Sequence, residues 1–190
     1  PTDFRTLYSS GVAEGAILLQ ITDQDWRVGL ATELGFPCVL IGRTAFEHDV
    51  SWVDFDFEGA VGAMMDHLVQ LGHGRIGFIG RPSASIAAGL GSSLRLQSGY
   101  DKAVQRHGLD AHRIASDLDP VAAGQSALHL IDSFPGLSAI VATSGRSAGG
   151  IMQALHSRGL RVPDDISLLT IATPSLATMT TPALSGVDFP

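Results

Sequence analysis

Two serines after an apolar run are the residues of this 190-residue chain whose type and position could support nucleophilic chemistry. Ser144 and Ser147 flank Gly145 and Arg146, directly after the run Ala139–Ala142. A serine nucleophile needs a histidine or carboxylate to take its proton, and the sequence assigns neither. A loop serine that binds a ligand or caps the next helix is therefore favoured, and we expect neither a nucleophile elbow nor another catalytic residue.

Two other residue groups could hold a phosphate or a metal ion. Gly89–Ser93 is glycine-rich but lacks the Gly-Lys-Ser/Thr ending of a P-loop, so we interpret it as a flexible binding loop. The histidines lack the spacing of zinc ligands, and we expect them at helix ends or on the surface, with no metal and no cofactor. We expect this of six of the seven histidines of the chain: His67, His73, His107, His112, His129 and His156.

The composition narrows the class of protein. The formal net charge is −7 and Lys102 is the single lysine, so these residues lack the basic surface that DNA binding requires. The apolar runs are strand-sized and too short to cross a bilayer, which predicts no membrane partner. The single cysteine, Cys38, lies in an apolar run and is expected to be a buried thiol in a reducing, cytoplasmic setting.

Strand-like runs alternate with helical patterns and predict an α/β fold with parallel sheet. The predicted strands are Ala16–Leu19, Cys38–Ile41, Val53–Phe55, Ile76–Ile79, Ala139–Ala142 and Ile166–Ile171. The predicted helices are Trp26–Leu34, Glu58–Leu71, Gln97–His107, Ala122–Phe134 and Ser147–Arg158. Gly80–Ser93 and Thr173–Thr181 are expected to be loops after strand ends, where open parallel sheets bind ligands.

Six short segments, spread over nearly all of the chain, carry a resemblance to a known family. The segments are Glu14–Leu19, Gly35–Arg43, Val53–Asp56, His67–Ile76, Gly159–Ser167 and Thr181–Val187. In their order and approximate spacing they resemble the effector-binding domain of LacI/GalR-family transcriptional repressors, whose fold is that of periplasmic sugar-binding proteins.

The resemblance implies a two-lobed, periplasmic-binding-protein-like fold of type I, with parallel sheets flanked by helices and incomplete at both ends. Residues 1–57 would be part of the N-terminal lobe, 58–187 the C-terminal lobe, and 188–190 the start of a crossover between them. It also implies a small-molecule effector, a sugar or similar metabolite, held between the lobes. The expected assembly is a cytoplasmic homodimer that binds operator DNA through a helix-turn-helix absent from these residues.

Two arginines are ligand-binding candidates by this resemblance. Arg43 matches an arginine that often follows this strand in the family, although the acidic residue that customarily precedes it is Gly42 here. Arg95 resembles the family's ligand-clamping arginine, but it precedes Gly99 by one position more than that arginine does.

Acidic residues are missing where the family has them. Ser144-Gly145 replaces an Asn-Asp pair, and Ala172-Thr173 replaces an Asp-Asp pair. Since carboxylates in a sugar pocket accept hydrogen bonds from hydroxyls, their loss indicates a different ligand. We therefore expect Ser144, Arg146 and Thr173 to join the two arginines at the ligand.

An anionic or less hydroxylated effector is one interpretation, since Arg81 also lies on a segment expected to border the cleft. Solvated loop arginines, or a degenerate pocket that serves dimerisation, are the alternatives. A secreted sugar-binding protein of the same fold and, less favoured, an α/β enzyme are the other classes of protein considered.

Overall fold

The computed structural model describes residues 2–46 and 49–190, with side chains from Arg5 onward in these ranges. It divides into two compact units. The first unit contains the residues up to Phe55 together with Ala87–Leu94, and the second contains Asp56–Ile86 and Arg95–Pro190. The lobe boundaries expected from the resemblance stay predictions.

The first unit contains a three-stranded parallel sheet of order β1-β2-β3. Leu18 and Leu40 from the sheet and Val28 from a helix are buried in its core. That helix begins after Asp25, whose carboxylate accepts a hydrogen bond from the backbone N–H of Arg27, a normal N-cap arrangement. Its elements are α1 (Thr2–Ser9), β1 (Ala16–Leu18), α2 (Trp26–Leu34), β2 (Cys38–Ile41) and β3 (Ser51–Val53).

The other elements belong to the second unit, except that α4 and α5 contribute their adjoining ends to the first. They are α3 (Phe57–Gln70), β4 (Ile76–Gly80), α4 (Ser83–Ala87), α5 (Gly91–His107), β5 (His112–Ala115), α6 (Pro120–Ser133), β6 (Ala139–Ala142), α7 (Gly145–Ser157), β7 (Ser167–Ala172), α8 (Pro174–Ala177) and β8 (Ser185–Asp188).

The second unit is built on a five-stranded parallel sheet of order β5-β4-β6-β7-β8. Every residue of β4 and β6 is buried, as expected of central strands covered on both faces. On one side, α6 and α7 pack over the sheet through Leu130, Ile151 and Leu155, which join Ile140 in one apolar core. All five strands therefore present their carboxyl ends at the same edge of the sheet.

The predicted bounds of α2, β2 and β6 are confirmed to the residue. The strand predicted at Val53–Phe55 lies two residues earlier, and α1, β5 and β8 were not predicted. In β5 the residues alternate between half-buried and exposed, so the sequence has no apolar run to mark this edge strand. Cys38 is half-buried rather than buried, and burial raises the pKa of its thiol.

Both predicted loops contain helix. The segment Gly80–Ser93 includes α4 and the first turn of α5, and Thr173–Thr181 includes α8. Glycine, proline and hydroxyl residues favour turns locally, but here they also start helices: the Thr173 hydroxyl accepts a hydrogen bond from the backbone N–H of Leu176, which caps α8. Within the described residues, no helix is long and apolar enough to cross a membrane.

Candidate ligand site at the carboxyl edge of the five-stranded sheet

The carboxyl edge of the five-stranded sheet gathers polar residues from neighbouring strands. Arg81 follows β4, Thr143 and Ser144 follow β6, and Thr173 follows β7. The strand order places β4 beside β6 and β6 beside β7, so these residues share one edge. Ligands of open parallel α/β sheets bind outside the carboxyl ends of the strands, which makes this edge the candidate site.

Thr143 joins β6 to β4 at this edge. Its backbone N–H donates to the carbonyl oxygen of Ile79 at 3.1 Å, and its hydroxyl is 3.3 Å from the same oxygen. Thr143 is 3% exposed, so these bonds are shielded from water. They hold the residue that follows β6 against the penultimate residue of β4.

Ser144 is the N-cap residue of α7, but its side chain makes no capping hydrogen bond. The first turn of α7 contains no acidic residue, and Arg146 in that turn is exposed to solvent. The first N–H groups of a helix have no partner within the helix, so this end of α7 offers hydrogen-bond donors and partial positive charge.

Gly145 and Ala172 are two small residues in close contact, and this contact leaves no room for an acidic side chain at residue 145. A β-carbon added to Gly145 would lie 2.5 Å from the β-carbon of Ala172, closer than real β-carbons approach other atoms. Both are positions where the resemblance implies carboxylates. Thr173, the fourth replaced position, uses its hydroxyl to cap α8 and lies 3.0 Å from the hydroxyl of Ser175.

The spacing Gly-x-Ser-x-Gly does occur, at residues 145–149, so the expectation that no such elbow exists was wrong at the level of sequence. The serine of this match, Ser147, is 4% exposed and lies inside the first turn of α7. Its hydroxyl donates to the carbonyl oxygen of Leu118 at 3.1 Å. A buried hydroxyl that is bonded to a backbone carbonyl helps to position the helix, and no histidine contacts it among the described residues.

Arg95 lies on α5, where it is half-buried. The register of this helix is set by Gly99, whose added β-carbon would be 2.5 Å from the carbonyl oxygen of Glu58, and by fully buried Tyr100. With this register, Leu96 is 1% exposed and occupies the position three residues before Gly99. The clamping position implied by the resemblance is therefore apolar, and Arg95 emerges about 100° away around the helix.

Arg43 belongs to the first unit and follows β2. Its Nε lies 3.6 Å from a carboxylate oxygen of Asp54, and its guanidinium lies 5.7 Å from the centre of the Trp52 ring. These contacts border a cavity of about 400 Å³ that Phe46 and Val50 also line. Arg43 thus has an acidic partner within its own unit.

The described histidines do not form a metal site, and no group of three or more His, Cys, Asp or Glu side chains in this part of the chain could hold a metal ion. His73 instead lies between the residue before β6 and the first residue of β7, with Nδ1 2.9 Å from the Ser138 hydroxyl and Nε2 3.2 Å from the Ser167 hydroxyl. His107 lies 2.6 Å from a carboxylate oxygen of Asp66.

Comparison with known proteins agrees with this architecture. Residues 65–190 match a family described as periplasmic binding protein-like domain. The transcriptional regulator CelR of Thermobifida fusca is 28% identical over 182 residues, which cover 93% of this chain and 52% of CelR. The chain thus spans about half the length of this curated relative.

Solved structures of transcriptional regulators have a similar fold. A LacI-family regulatory protein from Chloroflexus aggregans superposes with a TM-score of 0.81 at 26% identity, over 96% of this chain and 65% of that protein. A structure of the regulator CelR in complex with cellobiose superposes with a TM-score of 0.78 at 24% identity, over 96% and 57% of the two chains. The chain belongs to the periplasmic binding protein-like family and is an effector-binding domain of the LacI/GalR regulator type.

Proposed function

We propose that this chain is the effector-binding and dimerisation part of a cytoplasmic LacI/GalR-type repressor. In this proposal, a small sugar-like or anionic metabolite binds at the carboxyl edge of the five-stranded sheet. Binding changes the affinity of the whole homodimer for operator DNA, which a helix-turn-helix elsewhere in the protein contacts. The match of residues 65–190 to the family, with regulators among the relatives, carries the proposal.

The mechanism is a difference in ligand affinity between two conformations of the protein. A ligand shifts a conformational equilibrium only by as much as it binds one state better than the other. We assign ligand contacts to Arg43, Arg95, Ser144, Arg146 and Thr173. The proposal includes no catalytic step and no cofactor, in keeping with relatives that are transcriptional regulators.

A sugar ligand is supported by the cellobiose bound to CelR. The present site differs from a carboxylate-lined sugar pocket, because Gly145 and Ala172 carry no acid. Hydroxyl groups from Ser144 and Thr173 could accept hydrogen bonds from a neutral sugar, although Thr173 also caps a helix. A ligand screen therefore decides between a neutral sugar and an anionic effector.

The test uses the full-length protein. Its melting temperature is measured with neutral sugars, sugar phosphates and sugar acids, since a ligand at 100 times its Kd stabilises the native state by about 2.7 kcal/mol. DNA selected from a random library is then bound with and without the stabilising compound. We expect a stabilising metabolite that changes DNA affinity. Sugar binding without any DNA binding would contradict the regulator and favour a secreted solute-binding protein.

The assigned residues are tested with the same ligand. Arg95→Ala should weaken binding while the protein stays folded, and Arg43→Ala should do the same with some loss of stability because the ion pair with Asp54 is lost. Arg161→Ala removes an exposed arginine that pairs with Asp165 and serves as the control. Unchanged ligand affinity in the first two variants would contradict the assignment.

A further inference from the structure

Arg81 carries a buried polar atom that the protein leaves without a partner. It follows Gly80, the last residue of β4, and its side chain is partly buried. The Nε atom is inaccessible to water and has no hydrogen-bond acceptor within the described residues. Burial lowers the pKa of the guanidinium below its ordinary value. An unpaired buried donor is costly and rare in folded proteins, so Arg81 requires an explanation.

Other arginines of this chain show the normal arrangement. Arg27 lies 2.6 Å from Asp25, Arg158 lies 2.9 Å from Asp132, and in both cases the bond to the carboxylate raises the pKa of the arginine. Arg81 differs because desolvation acts on it with no carboxylate to oppose it. The missing partner is thus a property of this position and not of arginines in this chain generally.

The place of Arg81 in the sheet brings it beside the N-terminus of α7. Ile79 pairs with Ala142 in the parallel register of β4 and β6, so Arg81 and Ser144, each two residues further on, leave neighbouring strands side by side. Adjacent strands are about 4.8 Å apart. The α7 N-terminus has no acidic residue in its first turn and no capping bond from Ser144.

Acidic side chains near this place do not neutralise Arg81. Asp117 follows β5 on the other side of β4, where it is exposed, and Asp188 ends β8 at the far edge of the sheet. The two positions nearest α7 at which the resemblance implies acids are Gly145 and Ala172. An anion placed between Arg81 and α7 would therefore meet donors and positive charge.

We propose that Arg81, the Ser144 hydroxyl and the first N–H groups of α7 together bind the phosphate or carboxylate group of a small metabolite. The guanidinium offers a planar pair of donors that matches either group. The helix N-terminus supplies further N–H donors and partial positive charge. This inference rests on the proposed function in so far as the bound metabolite is the effector.

The experiment measures binding to the full-length protein by calorimetry, with inorganic phosphate, glucose 6-phosphate, gluconate and glucose as probes. The variant Arg81→Gln removes the charge and keeps the length of the side chain. The control Arg158→Gln removes an arginine at the opposite end of α7. We expect wild type and control to bind at least one anionic probe, and Arg81→Gln to bind it at least about tenfold more weakly.

A second measurement separates ligand binding from a structural role. Because Arg81 is desolvated without a partner, Arg81→Gln should melt at the same or a higher temperature than wild type in the absence of ligand. Should that variant fail to fold, Ser144→Asp replaces it: the new carboxylate can cap α7 and pair with Arg81, and anion binding should fall by about tenfold or more.

The outcomes are distinct. Unchanged anion affinity in Arg81→Gln, or no binding of any anionic probe by wild type, overturns the inference. Binding of glucose alone also overturns it and leaves the proposed regulator standing. Arg81-dependent anion binding by a protein that never binds DNA supports the inference and overturns the proposed function.

Discussion

Gly145 lies directly against Ala172, so the first turn of α7 touches the last residue of β7. A β-carbon on Gly145 would be 2.5 Å from the β-carbon and 3.2 Å from the α-carbon of Ala172. A side chain at residue 145 therefore requires α7 or β7 to move. Small, uncharged residues therefore meet at this point of the carboxyl edge of the sheet.

An acidic residue placed at this contact should destabilise the fold. We expect Gly145→Asp to lower the free energy of unfolding by about 1–3 kcal/mol, because the added atoms overlap Ala172. The neighbouring variant Ser144→Asp should keep the wild-type stability, since aspartate is a good N-cap residue. Urea denaturation followed by circular dichroism compares the two. Equal stability of Gly145→Asp and wild type would contradict the packing argument.

The contact between α6 and α7 depends on a second glycine. A β-carbon on Gly150 would overlap the backbone oxygen of Pro120, the first residue of α6. Gly150→Ala is expected to cost about 3 kcal/mol or more in unfolding free energy. Gly149→Ala is the matched control: nothing lies within 4 Å of its added β-carbon, and alanine should stabilise the helix by about 0.5–1 kcal/mol. A comparable loss in both variants would contradict the prediction.

Asp25 should make the protein sensitive to acid. Its burial disfavours the charged form, but the hydrogen bonds from the Arg27 side chain and from backbone N–H groups of Thr22 and Arg27 outweigh this and lower its pKa. The carboxylate therefore stabilises the fold above its ordinary pKa of about 3.9, and this contribution is lost as the pH falls through the lowered pKa.

The check is unfolding by urea between about pH 7 and pH 2. The stability difference between wild type and Asp25→Asn should be largest near neutral pH and should shrink in the acid range. Asp110→Asn changes an exposed aspartate between α5 and β5 and is the control. A difference that stays constant down to the lowest pH would show that Asp25 contributes through shape alone.

His73 should contribute a pH dependence in a higher range. Burial lowers the pKa of this imidazole below its ordinary value, and the charge of His67 lowers it further. The unfolded chain then takes up a proton before the folded chain does, so stability is greatest above about pH 6.5 and decreases as the pH falls towards the lowered pKa.

Proton NMR of the His73 ring gives this pKa directly, and the same titration in concentrated urea supplies the unfolded reference. The His73→Gln variant should also have a flatter dependence of unfolding free energy on pH. A ring that titrates at the same pH in the folded and the unfolded protein would rule out this contribution. The hydrogen bonds to Ser138 and Ser167 make such a result unexpected, because they hold the ring in place.

The sequence predicted elements best where an apolar pattern is continuous or caps are explicit. In α2, Asp25 before the helix and Gly35 after it mark both ends, and Gly35 has a φ of 61° that favours glycine. The edge strand β5 has neither signal and was missed. The short helix α8 begins inside a stretch of threonine, serine and proline whose local preference is for turns, and the Thr173 cap starts a helix there.

The candidate site was predicted only in outline. The apolar runs along the chain indicated that Ser144 and Thr173 would follow strands, and the structure places both at one edge of the sheet. The sequence could not show that Arg43 has Asp54 as a partner, nor that the helix register puts Leu96 and not Arg95 three residues before Gly99 on a buried face. Pairing and register are set by contacts between elements, which local patterns do not encode.

The sequence by itself therefore determined the alternation of strands and helices, which predicts the parallel sheet, because this alternation depends on patterns within about 15 residues. It indicated the family through six short segments spread along nearly all of the chain. Only the tertiary structure decided that Gly145 abuts Ala172 and that the Nε atom of the partly buried Arg81 has no hydrogen-bond acceptor among the described residues. The physical reason is distance: hydrogen bonds, ion pairs and steric overlap act over a few ångströms, and folding alone brings residues so far apart in the chain within that range.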